Sequence, residues 1–386
     1  MSSTIDPIAH PVSDSKVRQC SRIAFFLYSF DGGGAERVIL HLAMNFAQKG
    51  FTVDVILIKA KGAYLSQVPS TVRVLDLGTS TAASLAPLIR YLRQEQPTAL
   101  ISTMHYANEV ALWARWWAKQ LFGVNTQVLV TEQNTLSRYA QRSSRQVEKW
   151  TPLWAKLFYP WADRIIAASQ GVAQDLQQVT QLSGDRIQVI YNPIITPDLL
   201  GKAKQPLDHP WFLSGQPPVI LGIGRLVSQK DFSTLIRAFA RVRQVRPARL
   251  MILGGNGGNR PTLEALIQQL HVEPDVEFPG FVDNPYAYLA QSAVFALTSQ
   301  WEGFGNVVAE ALAVGTPVVA THCESGPAEI LKNGQYGTLV PVGDDQAVAA
   351  AILDLLSGKV KSVDPNWLTQ FEVEAIAQQY LAALGL

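Results

Sequence analysis

Cysteine is almost absent from this 386-residue chain: Cys20 and Cys323 stand far apart, without the spacing that a zinc site or a disulfide framework needs. A reducing, cytoplasmic setting is expected. An excess of one charge is missing too. Lys and Arg total 32 against 31 Asp and Glu, the formal net charge is +1, and 16% of residues are charged, which argues against a nucleic-acid binder and against an acidic disordered chain. No uninterrupted apolar run approaches about eighteen residues, so no transmembrane helix is expected. The first twenty residues are polar and broken by Pro7 and Pro11; lacking the apolar core of a signal peptide, residues 1–20 are predicted to be a disordered tail. No Asp-x-Asp element lies at a strand end where a divalent ion could sit. Asp344 and Asp345 are adjacent and fall late in a predicted loop, so no metal is expected.

What the chain does hold is apolar residues, 48% of the total, in a length that predicts two domains. From Arg22 onward short apolar runs alternate with amphipathic stretches, the pattern of a parallel sheet wrapped by helices, so the class is α/β. Strands are predicted at 23–28, 53–58, 72–77, 99–102, 128–131, 164–168 and 187–190, with a helix over about 35–49 capped by Gly50. The Pro- and Gly-rich passage from Asn192 to Pro218 reads as a linker. A second unit follows, with strands at 219–223, 250–253, 276–278, 294–297 and 317–320 and helices over about 232–244 and 263–270. The expected divisions are 1–20, 21–192, 193–369 and a C-terminal helix at 370–386 that returns to the first domain. No short repeat is found.

The strongest chemical signal is Trp301-Glu302-Gly303-Phe304-Gly305-Asn306-Val307-Val308-Ala309-Glu310, between a strand and a helix. Two carboxylates lie eight positions apart with a glycine turn between them. The turn frees backbone N–H groups at a helix N-terminus, where a phosphate or a sugar hydroxyl is favoured. A plain glycine turn before a helix bearing surface glutamates is the bland alternative. The second signal is Gly222-Ile223-Gly224-Arg225-Leu226-Val227-Ser228-Gln229-Lys230-Asp231, again at the carboxyl end of a strand, where open α/β sheets bind ligands. Arg225 and Lys230 offer a rigid fork and a mobile point charge that could converge on a diphosphate, or they are simply solvated.

These segments, with Gly32-Gly33-Gly34-Ala35-Glu36-Arg37 and Ser325-Gly326-Pro327-Ala328-Glu329-Ile330, resemble the group 1 family of retaining glycosyltransferases over about residues 21–345. The resemblance implies the GT-B fold, two Rossmann-like domains facing across a cleft, with 21–192 on the acceptor side and 193–369 binding the nucleotide sugar. It implies that Glu310 holds the donor ribose and Glu302 faces the transferred sugar. Arg225 and Lys230, with Gly224, would bind the diphosphate. Backbone amides from Gly303 through Phe304, Gly305, Asn306 and Val307 would bind sugar hydroxyls and phosphate, and Phe281 and Val282 would contact the base. It implies retention of anomeric configuration, no cofactor and no metal. The partners implied are a nucleoside-diphosphate sugar and a glycan or lipid-linked acceptor, in polysaccharide or glycolipid biosynthesis.

In the first domain the glycine loop fails as a dinucleotide fingerprint, because Arg37 occupies the position of the third glycine and no acidic ribose ligand ends the second strand. It is either a tight strand-to-helix turn or, as the resemblance implies, a loop lining the cleft, which makes Gly33, Gly34 and Arg37 candidates. His105, following a strand, is, as the resemblance implies, a candidate contact to the donor sugar, although the pattern around it departs from the family's commoner form, or it is a structural histidine. Glu132 could bind acceptor hydroxyls or cap a loop. Six of the nine tryptophans fall between Trp113 and Trp161, and from Leu100 to Ile165 eight basic residues face four acidic ones. Such interleaving suits an anionic membrane surface, hence possible peripheral attachment, or helices that bury tryptophan and carry basic outer faces. A nucleotide-sugar epimerase or a non-catalytic nucleotide-sugar-binding subunit are the alternatives in function, and a dinucleotide oxidoreductase comes last.

Overall fold

The structure, a computed structural model, describes residues 21–142 and 146–386; the tail predicted over 1–20, with Cys20, and Arg145 of the basic cluster lie outside the described residues. Two parallel sheets organise the chain. The first comprises β1 (Arg22–Leu27), β2 (Thr52–Leu57), β3 (Val72–Asp76), β4 (Ala99–Thr103), β5 (Gln127–Glu132), β6 (Arg164–Ala167) and β7 (Ile187–Val189), in the order β3-β2-β1-β4-β5-β6-β7. The second comprises β8 (Val219–Ile223), β9 (Arg249–Leu253), β10 (Val276–Gly280), β11 (Val294–Leu297), β12 (Val318–Thr321) and β13 (Thr338–Val340), in the order β10-β9-β8-β11-β12-β13. In each sheet the order reverses once, between β1 and β4 and between β8 and β11. Those reversals are the switch points where open sheets leave a crevice at the strand carboxyl ends.

The central strands are apolar on both faces because helices cover both. Ile23 lies opposite Val53 on one side and Ala99 on the other, and Ile220 lies opposite Leu250 and Val294. One face of the second sheet packs under the helices Phe232–Val245, Arg260–Leu270 and Asp345–Leu356, the other under Asn306–Ala313. A buried charge is tolerated on β2 by full pairing. Asp54 accepts from Arg22 (2.8 Å), from Arg73 (2.6 and 2.9 Å) and from Tyr91 (2.6 Å). Burial by itself would raise that carboxyl; the hydrogen bonds outweigh it and hold it below its ordinary range.

Predicted strands are found with ends displaced by a residue or so, and Val219–Ile223 and Val294–Leu297 coincide with prediction. β13 was not predicted: it spans Thr338–Val340, two of its three residues are only half-buried, and Pro341 closes it. The helix predicted from Leu263 starts at Arg260, with Pro261 in its first turn, where a proline loses no helical hydrogen bond. Among the described residues, those up to Leu129 together with Leu381–Leu386 form one compact unit, and Val130–Tyr380 form the other. No helix among them is long and apolar enough to cross a membrane.

Candidate active site at the strand ends

Within the unit Val130–Tyr380, the switch point of the second sheet brings the two strongest sequence signals together. β8 delivers Gly224 and Arg225, and β11 delivers Thr298 to Glu302. Lys230 Nζ stands 2.5 Å from Glu302 Oε1, and Ser299 Oγ donates to the same oxygen at 2.6 Å. The loops are tied by their backbones as well: Gln300 N–H donates to the Gln229 carbonyl at 2.8 Å, and Thr298 Oγ1 reaches the carbonyls of Lys230 and Asp231 at 3.1 and 3.0 Å. Arg225 is exposed and, among the described residues, has no ion-pair partner. One cation is thus held on a carboxylate while a second beside it stays uncommitted. Cys323 lies buried nearby; burial, reinforced by the Glu302 carboxylate, pushes its thiol up to about 12, so it is no nucleophile at neutral pH.

The glycine turn then does what its composition predicts. Gly305, with φ +91°, caps the helix Asn306–Ala313 in a left-handed conformation that other residues disfavour. Glu302 precedes the helix and Glu310 sits in its second turn, both buried. Phe304 turns its ring into the core, 5.4 Å from Tyr191 and 5.7 Å from Phe371, and its backbone passes close against Gly326. Val307 is half-buried, Val282 packs against the core cluster and Phe281 is exposed beyond the end of β10.

Several neighbours of this site escaped sequence reasoning. Gln133, just past β5, lies so close to Gly303 that a Cβ there would stand 1.7 Å from the Gln133 carbonyl oxygen. Asn192 Nδ2 donates to both Gln133 Oε1 and Asn306 Oδ1 at 2.9 Å. Ser169 Oγ donates to the Gly303 carbonyl at 2.6 Å while accepting from Val172 N–H as the cap of the helix Gln170–Thr180. Glu329 completes that cap: its carboxylate accepts from the backbone N–H groups of Gln170 and Gly171 at 2.9 and 3.1 Å, where the helix dipole favours negative charge. Burial and the adjacent Glu329 push the Tyr191 hydroxyl up to about 12. Glu132, already a candidate from the sequence, ends β5, is buried and accepts from the Tyr159 hydroxyl. Of the neighbours that were missed, Glu329 had a readable signal, the Pro-x-Glu start of a capped helix; the others needed contacts far apart in sequence. So did the loop Gly254–Gly258 after β9, whose glycines let it lie against Gly224 and Leu226.

The remaining candidates belong to the other unit. Gly33 caps the helix Gly34–Gln48, and Arg37 lies one turn inside it, half-buried. His105, buried, opens the helix His105–Phe122 directly after Met104, a non-glycine residue at φ +74°. Tyr106 packs edge-on against His105 and against Tyr28 at the end of β1, which places this turn at the first sheet's switch point. One turn on, burial alone pushes the Glu109 carboxyl up to about 7.

Two doubly wound parallel sheets, the second carrying a Lys–Glu pair, an arginine and a glycine-turn helix terminus at its switch point, define a GT-B protein. The chain matches the family of glycosyl transferases group 1 over residues 204–366 and glycosyltransferase family 4 over residues 32–196. It is 30% identical over 351 residues to the N-acetylgalactosamine-N,N'-diacetylbacillosaminyl-diphospho-undecaprenol 4-alpha-N-acetylgalactosaminyltransferase of Campylobacter jejuni, covering 87% of this chain and 90% of that protein. It is 28% identical to the lipopolysaccharide core biosynthesis glycosyltransferase LpsE of Rhizobium meliloti, covering 94% and 99%. The fold is that of Anabaena HepE, solved in complex with UDP, with a TM-score of 0.74, 24% identity and coverage of 94% and 99%. The chain therefore belongs to the group 1 glycosyltransferases, and glycosyl transfer is its chemistry.

Proposed function

We propose that this enzyme moves a sugar from a nucleoside diphosphate to a lipid-linked glycan at a membrane surface, retaining anomeric configuration and using no divalent ion. The carrying observation is the Lys230–Glu302 pair beside the uncommitted Arg225 at the β8/β11 switch point. As the bond from the anomeric carbon to the diphosphate oxygen breaks, negative charge grows on the departing nucleotide. Arg225 and Lys230 stabilise that charge, the service a metal ion gives elsewhere. The glycine turn at Gly303–Asn306 offers N–H groups at a helix terminus to the same phosphates and to sugar hydroxyls. Glu310 accepts from the ribose hydroxyls.

Retention is supported by the state of Glu302. Its Oε1 is already engaged by Lys230 and Ser299, which suits a carboxylate that orients the donor sugar better than one that strips a proton from the acceptor. The lipid-linked acceptor is supported by the Campylobacter relative, named for a diphospho-undecaprenol substrate, and by the lipopolysaccharide-core relative. His105, Arg37 and Glu132 are proposed to contact donor sugar and acceptor. A panel of UDP-, GDP- and ADP-sugars tests the reading. One donor is expected to raise the melting temperature, since a ligand at a hundredfold excess over its dissociation constant adds about 2.7 kcal/mol. NMR of the product with that donor and a polyprenyl-diphosphate glycan is expected to show the donor's anomeric configuration, with turnover unchanged by a chelator. An inverted product or loss of turnover with chelator would discard the corresponding clause.

A further inference from the structure

The tryptophan-rich segment after residue 146 presents its apolar side the wrong way round for a surface helix. A helix packed on a sheet ordinarily turns its large apolar residues inward. Across the short helix Gln146–Trp150 and the helix Thr151–Phe158 the inward positions are Thr151, Ala155 and then Tyr159, spaced by four and buried. The large apolar side chains point to solvent: Val147 is 77% exposed, Trp150 58%, Leu153 42%, Trp154 39% and Leu157 50%. Their spacing of three and four residues makes one continuous stripe. Trp154 is held in place by stacking on Phe158, ring centroids 5.7 Å apart and nearly parallel. Trp113 and Trp161, which belong to the same cluster in sequence, are half-buried packing residues and take no part in the stripe.

We infer that this stripe is the face by which the enzyme docks on an anionic lipid bilayer, with Trp150, Leu153, Trp154 and Leu157 entering the headgroup boundary and Lys149 and Lys156 meeting lipid phosphates. This inference rests on the membrane-borne acceptor proposed above and names the surface that meets it. An apolar stripe of this length, with indole rings and flanking lysines, lies in the plane of an interface and does not span it. The exposed Lys149 and Lys156 decide between occupants. A twofold contact with a second copy would press both pairs of lysines into one apolar interface, where like charges repel. Against an anionic surface each of the same charges is attractive.

The test is co-sedimentation of the full chain with phosphatidylglycerol-containing vesicles and with pure phosphatidylcholine vesicles, at low and high salt. Wild type is expected to pellet with the anionic vesicles and less so at high salt. The combined change Trp150→Ser, Leu153→Ser, Trp154→Ser and Leu157→Ser is expected to lower partitioning by about tenfold or more. Lys149→Glu with Lys156→Glu is expected to abolish the preference for anionic lipid. Donor-induced thermal stabilisation, unchanged in both variants, verifies that they fold. The inference is overturned if wild type ignores anionic vesicles at low salt or if the serine variant pellets equally well. It is likewise overturned if wild type is a dimer that the serine variant dissociates. Transfer to a short-chain, water-soluble acceptor is independent of this face, so a wild type that docks yet transfers to nothing would sink the proposed activity alone.

Discussion

Lys230 Nζ and Glu302 Oε1 stand 2.5 Å apart although 72 positions separate them in the chain. The pair joins the loop after β8 to the loop after β11, and both side chains are largely withdrawn from water, 19% and 8% exposed. A cation proposed for the diphosphate is therefore also the partner that makes a buried carboxylate tolerable.

Removing the lysine alone strands the carboxylate. Lys230→Ala is expected to cost about 3 kcal/mol or more of stability, with Lys230→Ala/Glu302→Gln recovering part of it. Both variants are expected to lose more in kcat than they gain in KM, because the charge matters most as the nucleotide leaves. Arg225→Ala, at an exposed and unpaired position, is expected to change stability by less than about 0.5 kcal/mol while lowering kcat. Denaturant unfolding and steady-state kinetics separate these effects; a double variant no more stable than Lys230→Ala would show the pair to be energetically uncoupled.

Glu310 is buried in the helix that follows the glycine turn. If it holds the ribose, Glu310→Ala is expected to weaken nucleotide affinity by about 1.5 to 3 kcal/mol per charged hydrogen bond lost. Calorimetry with the nucleoside diphosphate measures this directly, and unchanged affinity would remove Glu310 from the donor site.

Gly303 has no room for a methyl group. Its Cβ would stand 1.7 Å from the Gln133 carbonyl oxygen and 2.9 Å from the Asn134 Cα, all backbone. Gly303→Ala is expected to destabilise the protein by about 1 to 3 kcal/mol by overpacking and to weaken donor binding, because the turn must move. A thermal midpoint and donor affinity equal to wild type would show that the two loops part freely.

Glu109 predicts a pH dependence. Burial raises its carboxyl from an ordinary 4.5 to about 7. Between those values the folded chain keeps a proton that the unfolded chain has lost, so stability falls as pH rises from 4.5 to about 7 and this group adds no further change above that. Glu109→Gln is expected to flatten that slope, a difference on the order of 1 to 2 kcal/mol once partial exposure is allowed for. Urea midpoints for both proteins at about pH 5 and about pH 8 give the answer; parallel curves would mean that Glu109 titrates normally.

Much of the architecture was legible in the chain because it is locally encoded. Short apolar runs such as Val219–Ile223 and Val294–Leu297, bounded by turn and polar residues, read as strands buried on both faces, and Gly305 marks the sharp turn before Asn306. The α/β class and the candidates Arg225, Lys230, Glu302 and Glu310 follow from such segments, since a loop at a strand's carboxyl end is placed by the strand that precedes it, while the GT-B arrangement came from the family resemblance that those segments carry. β13, Thr338–Val340, was not legible: two of its three residues are only half-buried and Pro341 follows at once.

What the sequence by itself determined, then, is which residues form each element and which chemical groups stand at its end. The tertiary structure decided what those groups meet. Reversal of strand order between β8 and β11 put Lys230 on Glu302, and close passage of the Gln133 backbone made Gly303 obligatory. Glu329 found two free N–H groups at the start of another helix. The stripe from Val147 to Leu157 shows the limit most plainly: a spacing of three and four defines one side of a helix, but the direction that side faces was settled by Thr151 and Ala155 fitting against the core. Periodicity is a property of the local backbone, whereas orientation and pairing depend on which distant surfaces leave room.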